Sequence, residues 1–186
     1  GISLFIVPKI LVNDDGSLGH RNDVRPMSLE HKLGIHASPT AVMGYGENEG
    51  AVGYLIGEEC RGIQYMFTMM NNARLGVGLQ GLSVAERAYQ QAVTFAKDRV
   101  QMRDAVAGSK SSVAIAHHPD VRRMLLRMRA QTEAMRCLAY VAAAGLDVAN
   151  HHPDPEVKAS AQERVDLLIP IVKAWSTDLG LSLIHI

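Results

Sequence analysis

The chain has 186 residues, 47% of them apolar, and its 19 basic and 19 acidic side chains balance to zero. That length suits one large domain or two small ones with a real core, and a neutral balance implies no polyanion partner. The two cysteines, Cys60 and Cys137, show no paired spacing, which favours a reducing compartment over a disulfide framework; no apolar run reaches membrane-spanning length.

Residues 1–62 read as β. Apolar β-formers at 2–7 stop at Pro8-Lys9, and Asn13-Asp14-Asp15-Gly16 is a turn in which glycine supplies φ > 0. Strands are expected at 23–31 and 40–45. Residues 46–50 read as a hairpin loop, with 51–56 as its return strand. The chain opens on Gly1 with a strand already in progress. Its end, Leu181-Ser182-Leu183-Ile184-His185-Ile186, carries no helix-stop signal. Both ends read as cuts from a longer protein, and the last residues as either native or a sequence artefact, the missing stop signal favouring the artefact.

From Gly62 onward the pattern is helical. The spacing predicts helices over 63–101, about 119–149 and about 155–183, the last kinked at Pro170. The linker 102–116, with Gly108-Ser109-Lys110-Ser111-Ser112, reads as a mobile loop. β first and helices after argues for segregated layers, not a doubly wound sheet. The first helix carries the most informative feature. Leu75, Leu79, Leu82, Tyr89, Val93, Ala96 and Val100 mark one apolar face. Upstream, Asn71-Asn72-Ala73-Arg74 is a polar island beside the oily Met66, Phe67, Met69 and Met70. A cation and two amides on a buried surface need partners, and an anionic or amide-rich ligand supplies them.

Three other motifs read more plainly. Gly76-Val77-Gly78-Leu79-Gln80-Gly81 matches a dinucleotide fingerprint, but that fingerprint works only where a strand turns into a helix. Here the helical period runs through it, so the glycines read as room for close approach. His117-His118-Pro119-Asp120 and His151-His152-Pro153-Asp154 resemble metal-ligand clusters. About 30 helical residues between them put the clusters roughly 45 Å apart, so they read as helix starts instead. Arg122, Arg123, Arg127, Arg129 and Arg136 make the second helix basic; without interleaved aromatics this is a solvated face or a set of ion pairs, with Glu133 in reach.

Several segments together resemble the flavin-dependent acyl-CoA dehydrogenases. Lys32-Leu33-Gly34-Ile35-His36-Ala37-Ser38-Pro39-Thr40 resembles their K-x-G-x-R-x-S-x-T segment. Gly53-Tyr54-Leu55-Ile56-Gly57 with Arg61-Gly62-Ile63 resembles their entry into the first C-terminal helix. Asn71-Asn72-Ala73-Arg74 matches the polar island of that helix, Ala96 to Gln101 resembles its end, and His118-Pro119-Asp120-Val121 stands where the family has HQ.V. The likeness covers nearly the whole chain in order and is greatest to the bacterial broad-range and 3-methylmercaptopropionyl-CoA dehydrogenase branch.

The resemblance implies an α+β chain: the end of an antiparallel middle β-domain, residues 1–62, then an incomplete up-down helical bundle, residues 63–186. It implies α,β-dehydrogenation of an acyl-CoA thioester, with FAD as cofactor. It further implies an electron-transfer flavoprotein or similar acceptor, a homo-dimer or tetramer, and a bacterial cytoplasmic setting. By the same resemblance Asn71 and Arg74 contact the CoA part of the substrate. Arg99, with Gln101 nearby, meets the FAD pyrophosphate of a neighbouring subunit, and His118 sits by the same flavin, although the family's Gln is here Pro119. Ser38 and Thr40 shape the β-domain wall. His36 replaces an Arg, making any charge there pH-dependent. No catalytic base is found: the position before Arg74 is Ala73, Glu86 lies three turns beyond Arg74, and the remaining expectation is a glutamate in a later segment. This polypeptide by itself is therefore expected to be inactive. The competing readings are a non-catalytic helical scaffold or nucleic-acid-associated relative and, weakest, a metal-dependent hydrolase using the histidine pairs.

Overall fold

The computed structural model describes residues 1–104 and 106–183. Ala105 of the linker, and Ile184, His185 and Ile186 of the end read as an artefact, lie outside them. The chain divides into two compact units, Gly1–Thr68 and Met69–Ile186.

The first unit is built of short antiparallel pairs. β1 (Leu4–Ile6) pairs with β6 (Tyr54–Ile56), β2 (Ile10–Val12) with β3 (Leu18–Arg21), and β4 (Val24–Leu29) with β5 (Ala41–Tyr45). The turn read at Asn13–Gly16 does join a hairpin. Gly16 has φ 82°, and Gly16 N–H donates to the Asn13 carbonyl at 2.9 Å.

The expected hairpin between 40–45 and 51–56 does not form. β5 turns back on β4, and the later strand crosses to β1. The loop 46–50 is held from elsewhere: the Asp23 carboxylate accepts the N–H of Asn48 at 2.7 Å and of Glu49 at 3.0 Å. Asn22, only 4% exposed, completes the arrangement. Its amide donates to Pro8 O at 2.9 Å and Val52 O at 2.8 Å, and its oxygen accepts from Val52 N at 2.9 Å. One buried amide thus ties three segments that are distant in sequence, which a local reading of turns cannot register.

Entry into the first helix depends on two glycines. Gly57 has φ 66°, in the left-handed region, and Tyr65 lies so close that a Cβ would meet its ring at 2.5 Å. Tyr65 uses its hydroxyl to accept the Glu58 N–H at 3.2 Å. Gly62 presses on the backbone of Ser3 and Leu4, and its N–H donates to Ile2 O at 2.8 Å.

The second unit is helical. α1 (Gly62–Asp98) runs into it, followed by β7 (Val100–Arg103), β8 (Ser112–Ala114), a 3-10 turn (Ile115–His117), α2 (Pro119–His151) and α3 (Pro155–Leu183). The first helix ends at Asp98, short of the expected 101, because the next residues leave the helix to pair with β8. The linker is correspondingly not one open loop: Met102 and Arg103 belong to β7 and Ser112–Ala114 to β8. The helix boundaries of α3 match expectation, and its assignment continues through Pro170.

The three helices share two apolar clusters. Leu82, Ala85, Met128, Met135 and Leu183 form one; Leu75, Ala139, Ala142 and Val172 form the other. The predicted face of α1 is therefore right in Leu75, Leu82 and Ala96, and wrong in two residues. Leu79 points partly to solvent and Val100 lies in β7.

The glycine fingerprint sits in the middle of α1, where it gives room to α3. A Cβ on Gly81 would lie 2.4 Å from Ser176 O, one on Gly78 would lie 2.7 Å from Val172 Cγ1, and one on Gly180 would lie 2.7 Å from Gly81 O. Backbone meets backbone there, as small residues permit.

The two histidine clusters are not equivalent. Pro119 opens α2 with Asp120 in its first turn, as expected. The second cluster ends one helix and begins another. His152 caps α2, and Asp154 caps α3, its carboxylate accepting the Glu156 N–H at 2.9 Å ahead of Pro155.

Candidate functional site

The residues singled out from sequence fall into two groups on the helical unit. Asn71 and Arg74 lie one turn apart on α1, both half-buried, with the guanidinium 3.4 Å from the Asn71 Oδ1. That is long for a hydrogen bond. The spacing i, i+3 puts both on one face of the helix. Ala73 beside them carries no titratable group.

Arg99, Gln101 and His118 form the other group, and the fold gathers them although 17 residues separate the last two. Arg99 follows the end of α1. Its carbonyl accepts the Ile115 N–H at 2.8 Å. His118 Nε2 lies 2.8 Å from the Gln101 carbonyl. His118 is also the residue capping α2, with ψ 132°, and no side chain among the described residues caps that helix start.

Arg99 brings a guanidinium, Gln101 a primary amide and α2 a start without a side-chain cap, donors of the kind a phosphate group takes. Beside them opens an apolar groove of about 400 Å³ bounded by Phe95, Ala96, Ile115, Val121, Met124 and Met128, a surface fit for flat rings. Negative charge is also present but engaged. Asp120 pairs with Arg123 at 2.9 Å.

Asp104 was not singled out from sequence. Its carboxylate accepts the N–H groups of Val106 and Ala107, each at 3.0 Å. The Ala107 bond leads in holding it below the usual carboxylate range, with His117 and His118 adding attraction. The signal available was an aspartate four residues before a glycine, Gly108, which marks a turn.

The two groups are far apart. Twenty-four helical residues separate Arg74 from Asp98, roughly 36 Å at 1.5 Å per residue. They cannot serve one small site within one copy of this chain.

The other candidates are used structurally. Glu86 pairs with Arg136 of α2 at 2.6 Å and accepts from Gln90 at 2.8 Å, so it is a cross-helix tie. Arg129 bonds Glu133 at 2.8 Å, and that bond holds its pKa above the ordinary value. Ser38 lies in a turn of the first unit, where Lys32 donates to the carbonyls of Ile35 and Ser38; Thr40 O accepts the Glu30 N–H at 2.8 Å. His36 is exposed there. Among the described residues no three His, Cys, Asp or Glu side chains gather as a metal site, and no helix is long and apolar enough to cross a membrane.

The sequence pattern of the acyl-CoA dehydrogenase C-terminal domain matches residues 60–165. This chain belongs to the acyl-CoA dehydrogenase family. It is 51% identical over 178 residues to the 3-methylmercaptopropionyl-CoA dehydrogenase of Ruegeria pomeroyi, a match covering 96% of this chain and 30% of that protein. It is 38% identical to a butyryl-CoA dehydrogenase of Syntrophomonas wolfei, over 97% of this chain and 30% of the relative. The fold matches the solved structure of Caenorhabditis elegans ACDH-11 in complex with C11-CoA with a TM-score of 0.73 at 20% identity, covering 95% of this chain and 30% of that one. The chain thus spans about 30% of the length of the curated relatives it matches. The branch named from its motifs is the one to which the 51% likeness leads.

Proposed function

We propose that this chain is the portion of an FAD-dependent acyl-CoA dehydrogenase that grips the coenzyme A of the substrate at one end of α1 and the cofactor of a neighbouring subunit at the other. The whole enzyme removes hydrogen from the α and β carbons of an acyl-CoA thioester. The observation that carries this reading is the 51% identity to 3-methylmercaptopropionyl-CoA dehydrogenase across 96% of the chain. In this reading residues 1–62 close the middle β-domain and residues 63–186 begin the helical one.

Asn71 and Arg74 hold the nucleotide handle of the substrate. A guanidinium offers a fork of donors to phosphate or to pantetheine amides, and Asn71 lies beside it on the same helix face. Arg99, Gln101 and the start of α2 hold the pyrophosphate of FAD. FAD, when bound, supplies the hydride acceptor; the protein orients it. In this reading the cofactor at Arg99 is that of a neighbouring subunit, in a homo-dimer or tetramer; the roughly 36 Å of helix between the two groups is compatible with that division. With Ala73 beside Arg74, the α-proton must leave to a carboxylate elsewhere in the enzyme, expected in a later segment. Electrons pass on to an electron-transfer flavoprotein or similar acceptor, in the bacterial cytoplasm.

The test uses the full-length gene product with FAD, a panel of acyl-CoA thioesters and an artificial electron acceptor. Turnover is expected for it and not for residues 1–186 alone. Arg74→Ala should raise KM for the thioester by about 10- to 100-fold, as loss of a bond to a charged group implies, with FAD content unchanged. An unchanged KM would remove Arg74 from the substrate site. No turnover with any thioester would favour the non-catalytic relative.

A further inference from the structure

We infer that His118 is a positioning residue for the cofactor group, acting through the Gln101 carbonyl and not by touching the cofactor; this rests on the flavin reading above. β7 departs from regular pairing. Val100 faces Ala114 and Arg103 faces Ser112, so Gln101 and Met102 stand opposite the single residue Val113. That is a β-bulge, a device that re-aims side chains at the cost of one ladder position.

Met102 pays the conformational cost, with φ 61°. An unbranched L-residue in the left-handed region is strained by roughly 1–2 kcal/mol and stays there only where its surroundings hold it. The angle φ of Met102 turns the peptide unit that joins it to Gln101. The carbonyl of that unit is the atom His118 meets at 2.8 Å. A carbonyl only accepts, so Nε2 carries the hydrogen. Because the peptide is planar and trans, fixing its oxygen also fixes the Met102 N–H on the opposite side.

The imidazole is itself well anchored. His118 N–H donates to Ile115 O at 3.0 Å, and His118 O accepts the Arg122 N–H at 3.0 Å, so its backbone is held by the 3-10 turn before it and the helix after it. Ile115 N–H holds Arg99 O on the other side of the bulge. The strained peptide thus lies between two ties from one rigid segment. The Arg99 and Gln101 side chains leave the chain on the N-terminal side of that peptide, so a swing of the peptide changes their aim. His118 acts on both without needing to reach the ligand.

The experiment measures FAD affinity of the full-length apoprotein by flavin fluorescence, and amide hydrogen exchange of a peptide spanning 99–104. His118→Ala should weaken FAD binding by about tenfold, the size of one well-made hydrogen bond, and speed exchange across the bulge. His118→Gln, whose amide can donate to the same carbonyl, should restore affinity to within about threefold of the parent. Met102→Gly in the His118→Ala background should recover most of the loss, because glycine takes φ near 60° without being held. Full FAD affinity in His118→Ala overturns the inference. A loss that neither His118→Gln nor Met102→Gly repairs, with exchange unchanged, also overturns it and makes His118 a direct contact. Arg99→Ala separates the two readings. If it leaves FAD affinity unchanged, the flavin assignment falls and the inference with it; if it weakens FAD while His118→Ala is silent, only the inference falls.

Discussion

At the scale of single residues, the β part depends on two neighbours with different chemistry. Asn22 is buried and spends both its donors and its acceptor on backbone groups of other segments. Asn22→Ala leaves Pro8 O, Val52 O and Val52 N–H without those partners, at a cost of about 2–3 kcal/mol. Local hydrogen exchange at residues 52–56 in the full-length protein should report it. Asp23 next to it is half-buried, and its bond from the Asn48 N–H leads in pulling its pKa below the ordinary 3.8. The sign follows from a depressed carboxylate. Its contribution is full above the ordinary value and disappears as pH falls through the lower folded value. Protection of the Asn48 and Glu49 amides should therefore persist at neutral pH and be lost in acid below about pH 4, while Asp23→Asn should show weak, pH-independent protection. If protection in the parent does not change with acid, the carboxylate is not what holds the loop.

At the scale of elements, packing decides what propensity alone would get wrong. Glycine costs a helix interior about 1 kcal/mol relative to alanine, so alanine at each of the α1 glycines would be expected to stabilise. The surroundings split them. A Cβ on Gly76 meets nothing within 4 Å, whereas one on Gly81 would lie 2.4 Å from Ser176 O, a backbone atom that cannot yield alone. Gly76→Ala should raise stability by up to about 1 kcal/mol. Gly81→Ala should lower it by about 1–3 kcal/mol by prising α1 from α3. Thermal melts of the two variants should move in opposite directions; equal shifts would mean that the helices are not seated on each other there. Helix ends were legible in the sequence because their signals are local, as with Pro119 opening α2 and Pro155 opening α3. The strand pairing was not, because Asn22 and Asp23 recruit partners some 25 to 30 residues away. The same holds for the site. Arg74 and Asn71 could be read together from one helical turn, but nothing local says that His118 meets the Gln101 carbonyl or that Met102 sits in a bulge.

At the scale of the whole molecule, exposed surface is the quantity that bears on assembly. Large apolar side chains of the helices lie open to solvent. Leu126 on α2 is 68% exposed, and Leu167 and Leu181 on α3 are 66% and 62% exposed. Ile171 stands one turn from Leu167 on that same side of α3. Such a stripe on a helix whose other face already packs in the core marks a surface intended for another element or subunit. Residues 1–186, expressed by themselves, should therefore bind a hydrophobic dye and associate as concentration rises, while the full-length protein should do neither beyond the dimer or tetramer proposed above. Replacing Leu126, Leu167 and Leu181 by Gln should reduce both effects in the short polypeptide, since none of these side chains is part of the two buried clusters. Analytical ultracentrifugation with dye titration would decide it. A dispersed, dye-silent monomer at tens of micromolar would mean that these faces tolerate water, and the argument for an assembling enzyme would lose its physical basis.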